Sequence, residues 1–428
     1  MSIDRARRLE SRLPSLFDEL ADARTPDYLE DAIERASSNT QRPAWTFPAR
    51  WLPMDIVMTR VPTSRMPWRQ LGVLALIAVL LAVALAAFVG SRLTKLPPPF
   101  GPAANGVVAM EQNQDLYTVD PQTGQITLLL GGPKRDEWVG FTRDGTRGVL
   151  LRWNPDNGAM TTARVGTVPL GGGSPTIVQK DVFHGGEPIQ IAPNGREAAF
   201  WMWDGPNVII GVAALDGSSF RTFGDVSVVD YGGLAYLAPD GHELVYLARS
   251  SNMHTHDIRA LDVTTGETRA ILETSTGNDI MGNVSAAPDG NHIAYALQSV
   301  TGTVSIHIIG TDGQDDRVVA HAPGANFEAW PQWDPQGKRL LIERAADDGI
   351  VHPVIVDLGG RPDVVIETEI SQNGAGKEWA PDGASILAQR TTADGRQLQQ
   401  EFWDARTGKV TPVSWPSVTP PSWQRLAP

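Results

Sequence analysis

The 428-residue chain has no cysteine. Disulfides, thiolate metal sites and cysteine nucleophiles are excluded, and the redox compartment is left open. No Gly-x-Ser-x-Gly elbow occurs, so the sequence shows no sign of the serine-hydrolase motif. No phosphate-binding glycine loop follows a strand; "GGGS" (171–174) reads as a turn. Positive charge is scarce beyond the first hundred residues. Residues 105–428 carry 23 basic and 39 acidic side chains, a net of −16. A surface that acidic repels phosphate backbones, which excludes nucleic acid as a partner.

Charge is absent altogether between Arg69 and Arg92, and 71–89 reads "LGVLALIAVLLAVALAAFV", 19 residues without a polar side chain. At ~1.5 Å rise per residue the run is about long enough to cross a bilayer, and in lipid it must be helical. A cleaved signal peptide fits poorly, because the run begins some 70 residues in and lacks a small-residue cleavage site. Arg50, Arg60, Arg65 and Arg69 precede it, against Arg92 and Lys95 after it. The bias predicts a single-pass protein of the cell membrane, with a cytoplasmic N-terminus and an extracytoplasmic bulk. "LPPPFGP" (96–102) follows as a stiff spacer within a 92–105 linker.

Residues 1–69 predict short amphipathic helices. "SLFDELADA" (15–23) puts Leu16, Phe17 and Leu20 on one face. "TPDYLEDAIERA" (25–36) opens with Thr25 as a cap and Pro26 in the first helical position. Helices this short suit docking to a cytoplasmic protein partner. Short cytoplasmic helices, one span and an outer domain together resemble the layout of anti-sigma regulators, without the His/Cys zinc motif many of them carry. That resemblance implies a transcription factor bound through 1–69.

The outer part repeats. One turn recurs as "FTRDG", "IAPNG", "LAPDG", "AAPDG", "WDPQG" and "WAPDG", with Gly145, Gly195, Gly241, Gly290, Gly337 and Gly383 spaced by 50, 46, 49, 47 and 46. Pro presets the turn, Asp or Asn bonds its own backbone, and Gly supplies the positive φ. An apolar residue stands four before each glycine (Phe141, Ile191, Leu237, Ala286, Trp333, Trp379), and an apolar triplet such as Leu244-Val245-Tyr246 follows. Continuous apolar runs of that length fit strands covered on both faces. A second turn, at Gly124, Gly172, Gly217, Gly266, Gly313, Gly360 and Gly408, recurs at 45 to 49 residues. Each unit is therefore four short strands in about 47 residues, the size of a propeller blade.

"APDG", the apolar triplet, and then D-x-x-x-x-D-x-x-TG resemble the TolB-type, WD-repeat-like β-propeller family over roughly 106–425. Three units depart from Pro-Asp-Gly, as Arg143-Asp144-Gly145, Pro193-Asn194-Gly195 and Pro335-Gln336-Gly337, and all keep the glycine. The resemblance implies an all-β binding or scaffolding platform, and it does not itself imply catalysis.

Seven second turns stand against six first turns. The unit at 106–130 lacks an opening strand, and Trp423 near the C-terminus falls in the aromatic column with no turn after it. Pairing Trp423 beside Val107 and Val108 would close a seven-bladed ring; leaving the tail out gives the six-bladed alternative.

No catalytic, cofactor or metal residue is assigned. The eight His are scattered; "HTHD" (254–257) offers His254, His256 and Asp257 but no third spaced ligand, and "RAADDG" (344–349) reads as a hairpin. Trp201, Trp203, Trp330, Trp403 and Trp415 either pack the blades or line a binding face. The leading expectation is a membrane-anchored, non-catalytic sensor or scaffold that binds a protein or small ligand outside the cell. The alternatives are the anti-sigma-like regulator and an envelope propeller hydrolase or lyase.

Overall fold

The computed structural model describes residues 76, 77, 79, 97, 101–154, 162–178, 182–183, 189–204, 207–224, 233–237, 241–249, 255–275, 277–320, 327–345, 350–370, 376–391, 398–416 and 420–427. Two compact units divide the chain, Met1–Leu93 and Thr94–Pro428. In the first, Leu76, Ile77 and Val79 are helical and exposed. The rest of the 71–89 run and the helices expected within 1–69 lie outside the described residues. Among the described residues no helix is long and apolar enough to cross a membrane. The described structure thus gives the expected transmembrane helix and the anti-sigma-like layout no support.

The second unit is a seven-bladed propeller. Six antiparallel sheets have four strands each, and a seventh has five because Val182–Phe183 also pairs with Thr162–Pro169. Six blades follow one another along the chain, each running from an inner strand outward. Their inner strands are Asp136–Phe141, Gln190–Ile191, Leu234–Tyr236, Asp279–Ala286, Phe327–Trp333 and Gly376–Trp379. We number these blades one to six. Blade seven takes its outer three strands from Ala104–Gln112, Asp115–Val119 and Ile126–Leu130, and its inner strand from Trp423–Leu426.

Local chemistry accounts for the repeat. In the first turn the Asp or Asn side chain accepts the amide two residues on: Asp144 from Thr146 at 3.0 Å, and Asn194, Asp289 and Asp382 from Arg196, Asn291 and Ala384 at 2.8 Å. Gly145, Gly195, Gly241, Gly290, Gly337 and Gly383 all stand at φ between +65° and +74°, where an L side chain is strained. In the second turn, Asp120, Asp262 and Asp404 each accept two backbone amides.

Second strands are apolar on both faces because each blade is covered by two neighbours. Tyr246 packs with Trp201, Ile210 and Tyr236 between blades two and three, while Tyr295 packs with Val245 and Ile258 between three and four. Corresponding layers fill the other five interfaces, and the layers between six and seven include Val108 with Trp423 and Met110 with Trp415. Ordering strands around a ring in this way leaves only short edges, those of the outermost strands at the rim and of the inner strands at the channel.

The closing strand pairs Ala104 with Leu426, Asn105 with Arg425 and Val108 with Trp423, with a bulge between Asn105 and Val108. Val107 sits in that bulge, half-buried, and donates its amide to Gln424 Oε1 at 3.2 Å.

Candidate ligand site in the central channel

The inner strands stand in register about the ring axis. The aromatic column runs Phe141, Ile191, Leu237, Ala286, Trp333, Trp379 and Trp423. One position earlier come Gly140, Gln190, Tyr236, Ser285, Gln332, Glu378 and Ser422, and all seven line one cavity of about 420 Å³. A cavity touched by every inner strand lies on the axis, and its volume suits a small ligand. It opens at the end where the inner strands meet their first turns, since Pro193, Pro288, Pro335 and Pro381 also line it.

The first-turn proline stands two positions after the aromatic column. Blades one and seven break the pattern with Arg143 and Arg425, and both arginines line the cavity. Glu378, on the inner strand of blade six, completes a charged cluster with them. Its carboxylate accepts from Ser422 Oγ and the Trp423 amide, and the charges of Arg143 and Arg425 act on it. Burial outweighs those attractions and pushes Glu378 up to about 7. Burial also holds the Arg143 guanidinium below its usual value, and it pushes Arg425 down to about 10, with the Arg143 charge adding to the effect.

Two other charged groups on the lining are balanced within the wall. Lys377 is ion-paired with buried Glu343, and buried Asp334 pairs with Arg339 at 3.0 Å. Asn283 Oδ1, Gln332 Oε1, Trp379 Nε1 and Trp423 Nε1 belong to lining residues and are buried without a hydrogen-bond partner. Each such group costs about 1–3 kcal/mol unless a ligand or water meets it. The linker reaches the same mouth: Gly101 is on the lining, and its carbonyl accepts from Arg425 Nη2 at 2.6 Å.

The sequence-derived candidates fall elsewhere. The six turn glycines sit in the first turns, not on a ligand surface. Of the two readings left open for the tryptophans, Trp201, Trp403 and Trp415 follow the first: they are buried between blades. Trp330 is half-buried, at φ +56°, with its ring over Gly282. The side chain of Trp203, residue His254 and residues 346–349 lie outside the description. His256 Nδ1 meets Asp279 Oδ1 at 2.7 Å, while Asp257 accepts the Thr274 amide, so both are engaged in holding their loops. A Ser305–His307–Asp316 chain, with contacts of 3.1 and 3.2 Å, lies on the face of blade four turned toward blade three. Tyr295 donates to the same Asp316 oxygen at 2.8 Å, tying the strands of that blade together.

Arg143 was visible in the sequence as a departure from Pro-Asp-Gly. Arg425 and Glu378 carried no motif of their own; what marks them is the column position of their neighbours.

No family model matches the chain, and neither does any curated protein. Solved structures do. A prolyl endopeptidase is 14% identical with a TM-score of 0.52, over 82% of this chain and 55% of that one. An oligogalacturonate lyase from Vibrio parahaemolyticus is 10% identical with a TM-score of 0.51, over 69% and 87%. TolB from Acinetobacter baumannii is 14% identical with a TM-score of 0.47, over 76% and 81%. At these identities the likeness is one of fold. It corrects the expectation of a chain that is no enzyme: that expectation rested on the absence of a recognisable catalytic motif, and a peptidase and a lyase carry the same fold. The chain is similar in fold to the matched parts of a prolyl endopeptidase and an oligogalacturonate lyase.

Proposed function

We propose that the chain is a membrane-anchored propeller that binds its ligand at the turn-side mouth of the central channel. The observation that carries this reading is the conjunction of Arg143, Glu378 and Arg425 with unpartnered polar atoms in a cavity lined by all seven inner strands. The anchor is supported by the apolar run 71–89 and by the flanking basic residues, which favour a cytoplasmic N-terminus and an extracytoplasmic propeller. Ser285→Trp should fill the mouth. A thermal-shift screen of envelope extracts and small metabolites should lose its positive responses in that variant, and a variant that keeps them all sinks the channel reading. Protease shaving of intact cells tests the anchor: a protected propeller with cleaved residues 1–69 would reverse the topology. Residues 1–69 used as bait test the regulator reading, which fails if no transcription factor is recovered.

A second reading makes the same mouth catalytic. Glu378, pushed up to about 7, titrates where general acid–base groups work. Oligogalacturonate lyase, a similar propeller by fold, supports an acid–base lyase; the missing Gly-x-Ser-x-Gly elbow weighs against a serine hydrolase. Turnover of an acidic-oligosaccharide panel that is abolished by Glu378→Gln would establish it, and turnover unchanged by that substitution would exclude Glu378 from the chemistry.

A further inference from the structure

We propose that the free edge of blade seven, the strand Ile126–Leu130, is where a second copy of this chain adds, strand against strand and antiparallel about Leu128. The central channel takes no part in this contact.

The first support is a comparison of the outermost strands. An edge strand turns every second N–H and C=O away from its sheet, and proteins guard such edges by keeping them short or by placing charge or proline on them. The other six blades are guarded in these ways. Blade one ends in Thr176–Ile177 and Val182–Phe183, and blade five in Val364–Val365, all of two residues. Phe220–Phe223, Thr268–Leu272 and Arg317–Ala320 carry Arg221, Arg269 and Arg317, and Val410–Pro412 ends in proline. Among the described residues, only Ile126–Leu130 is at once long, uncharged and free of proline. Leu129 and Leu130 reach back into the layer against blade one, while Ile126 and Leu128 are 43% and 56% exposed.

The second support identifies the occupant. Outward backbone groups call for another extended strand, and this strand is complementary to itself. Antiparallel pairing about Leu128 sets Leu128 against its own copy and Ile126 against Leu130, so apolar side chains meet apolar ones. The ends match in charge as well. Asp120, whose carboxyl the Thr123 and Gln122 amides hold below its usual value, stands in the turn before the strand. Lys134 follows the strand, and the whole segment Gly131–Lys134 is exposed. Antiparallel pairing brings the acidic end of one copy to the basic end of the other, whereas parallel pairing sets like charges together. A single short ladder buries less than the ~1,000 Å² that a stable interface clears, so the pair is weak and concentration governs it. The net charge of −16 on each propeller opposes the approach of two copies, and salt screens that repulsion.

The chain lacks cysteine, so one introduced thiol reports one contact. Full-length protein in detergent carrying Leu128→Cys should form a disulfide-linked dimer under mild oxidation. Val318→Cys, on the outer strand of blade four and 54% exposed, controls for chance collisions and should give roughly tenfold less. Ile126→Cys alone should stay uncrosslinked, yet it should link to Leu130→Cys when the two are mixed, which fixes the register. Sedimentation of the wild type should show a monomer–dimer equilibrium that added salt shifts toward dimer. Leu128→Lys should raise the dissociation constant by roughly tenfold or more, because each lysine then faces its own copy. Equal crosslinking of Leu128→Cys and Val318→Cys, association untouched by Leu128→Lys, or a wild type still monomeric at about 100 µM each overturn the proposal. A Leu128→Cys chain that links in cells to a different polypeptide, and not to its own copy, would assign the edge to another strand and overturn it as well.

Discussion

Val108 and Trp423 face each other across an antiparallel ladder that joins the two ends of the propeller. Both are buried, and they pack with Ala380 and Leu387 of blade six. Trp423 therefore closes the sheet of blade seven and also fills the layer against blade six. Trp423→Ala should lower stability by about 3–5 kcal/mol, as for other buried aromatic truncations. Deleting 419–428 should cost more, because the backbone pairs with Asn105 and Ala104 go as well. Urea midpoints of the two variants check this, and an unchanged midpoint for the deletion would contradict the closure.

Gly145 and Gly195 have nearly the same φ, +68° and +65°, but different surroundings. A Cβ at Gly145 would collide with the Arg425 carbonyl of the closing strand, whereas at Gly195 its nearest neighbour, Thr142 Cβ, is 3.7 Å away. Gly195→Ala should cost only the left-handed strain, about 1–2 kcal/mol. Gly145→Ala should cost clearly more, since it also displaces backbone at the seam. Equal shifts in melting temperature would contradict this.

Asp334 is fully buried and held by Arg339, whose Nη2 also reaches the Gly383 carbonyl of the next blade at 2.6 Å. The Arg339 guanidinium lies 4.9 Å from the ring centre of Trp379. Removing the arginine alone strands a buried charge, and Arg339→Met should cost about 3–5 kcal/mol. Adding Asp334→Asn should recover part of that loss. A double variant no more stable than the single one would show that the inter-blade bond, not the charge, carries the energy.

Glu111 is pushed up to about 7, chiefly by burial and next by the Glu137 charge. Its folded value lies above the model-peptide 4.5, so between these values the folded state binds more protons than the unfolded one. Stability from this group therefore falls as pH rises from about 4.5 to about 7, and the full penalty remains above that. Glu111→Gln should flatten that slope and melt above the wild type near about pH 8. A variant with the wild-type slope would remove Glu111 as its source.

The seven blades were legible because their signal is local. An Asp or Asn bonding the amide two residues on, followed by a left-handed glycine, marks each turn within five residues. The channel mouth was not, because Arg143, Glu378 and Arg425 meet only once the ring places three inner strands about one axis. The role of the tryptophans stayed open in the sequence for the same reason. Trp403 and Trp415 are adjacent to polar residues in sequence, yet one lies within the layer between blades five and six and the other between six and seven. Which face of a strand is covered is decided by the neighbouring blade, which the strand's own sequence does not encode.

The linker enters the propeller at its seam, through the Arg425–Gly101 bond, the Ala103 amide on the Pro381 carbonyl, and then the Ala104–Leu426 pair. Tension drawn from the N-terminal side loads this ladder at its end and opens it one pair at a time, first at Leu426 and then at Arg425. Blades one to six carry no such end-on load, because each is built from consecutive strands. Under pulling, the seam is the compliant joint, and blade seven gives way at Arg425 before blades one to six do.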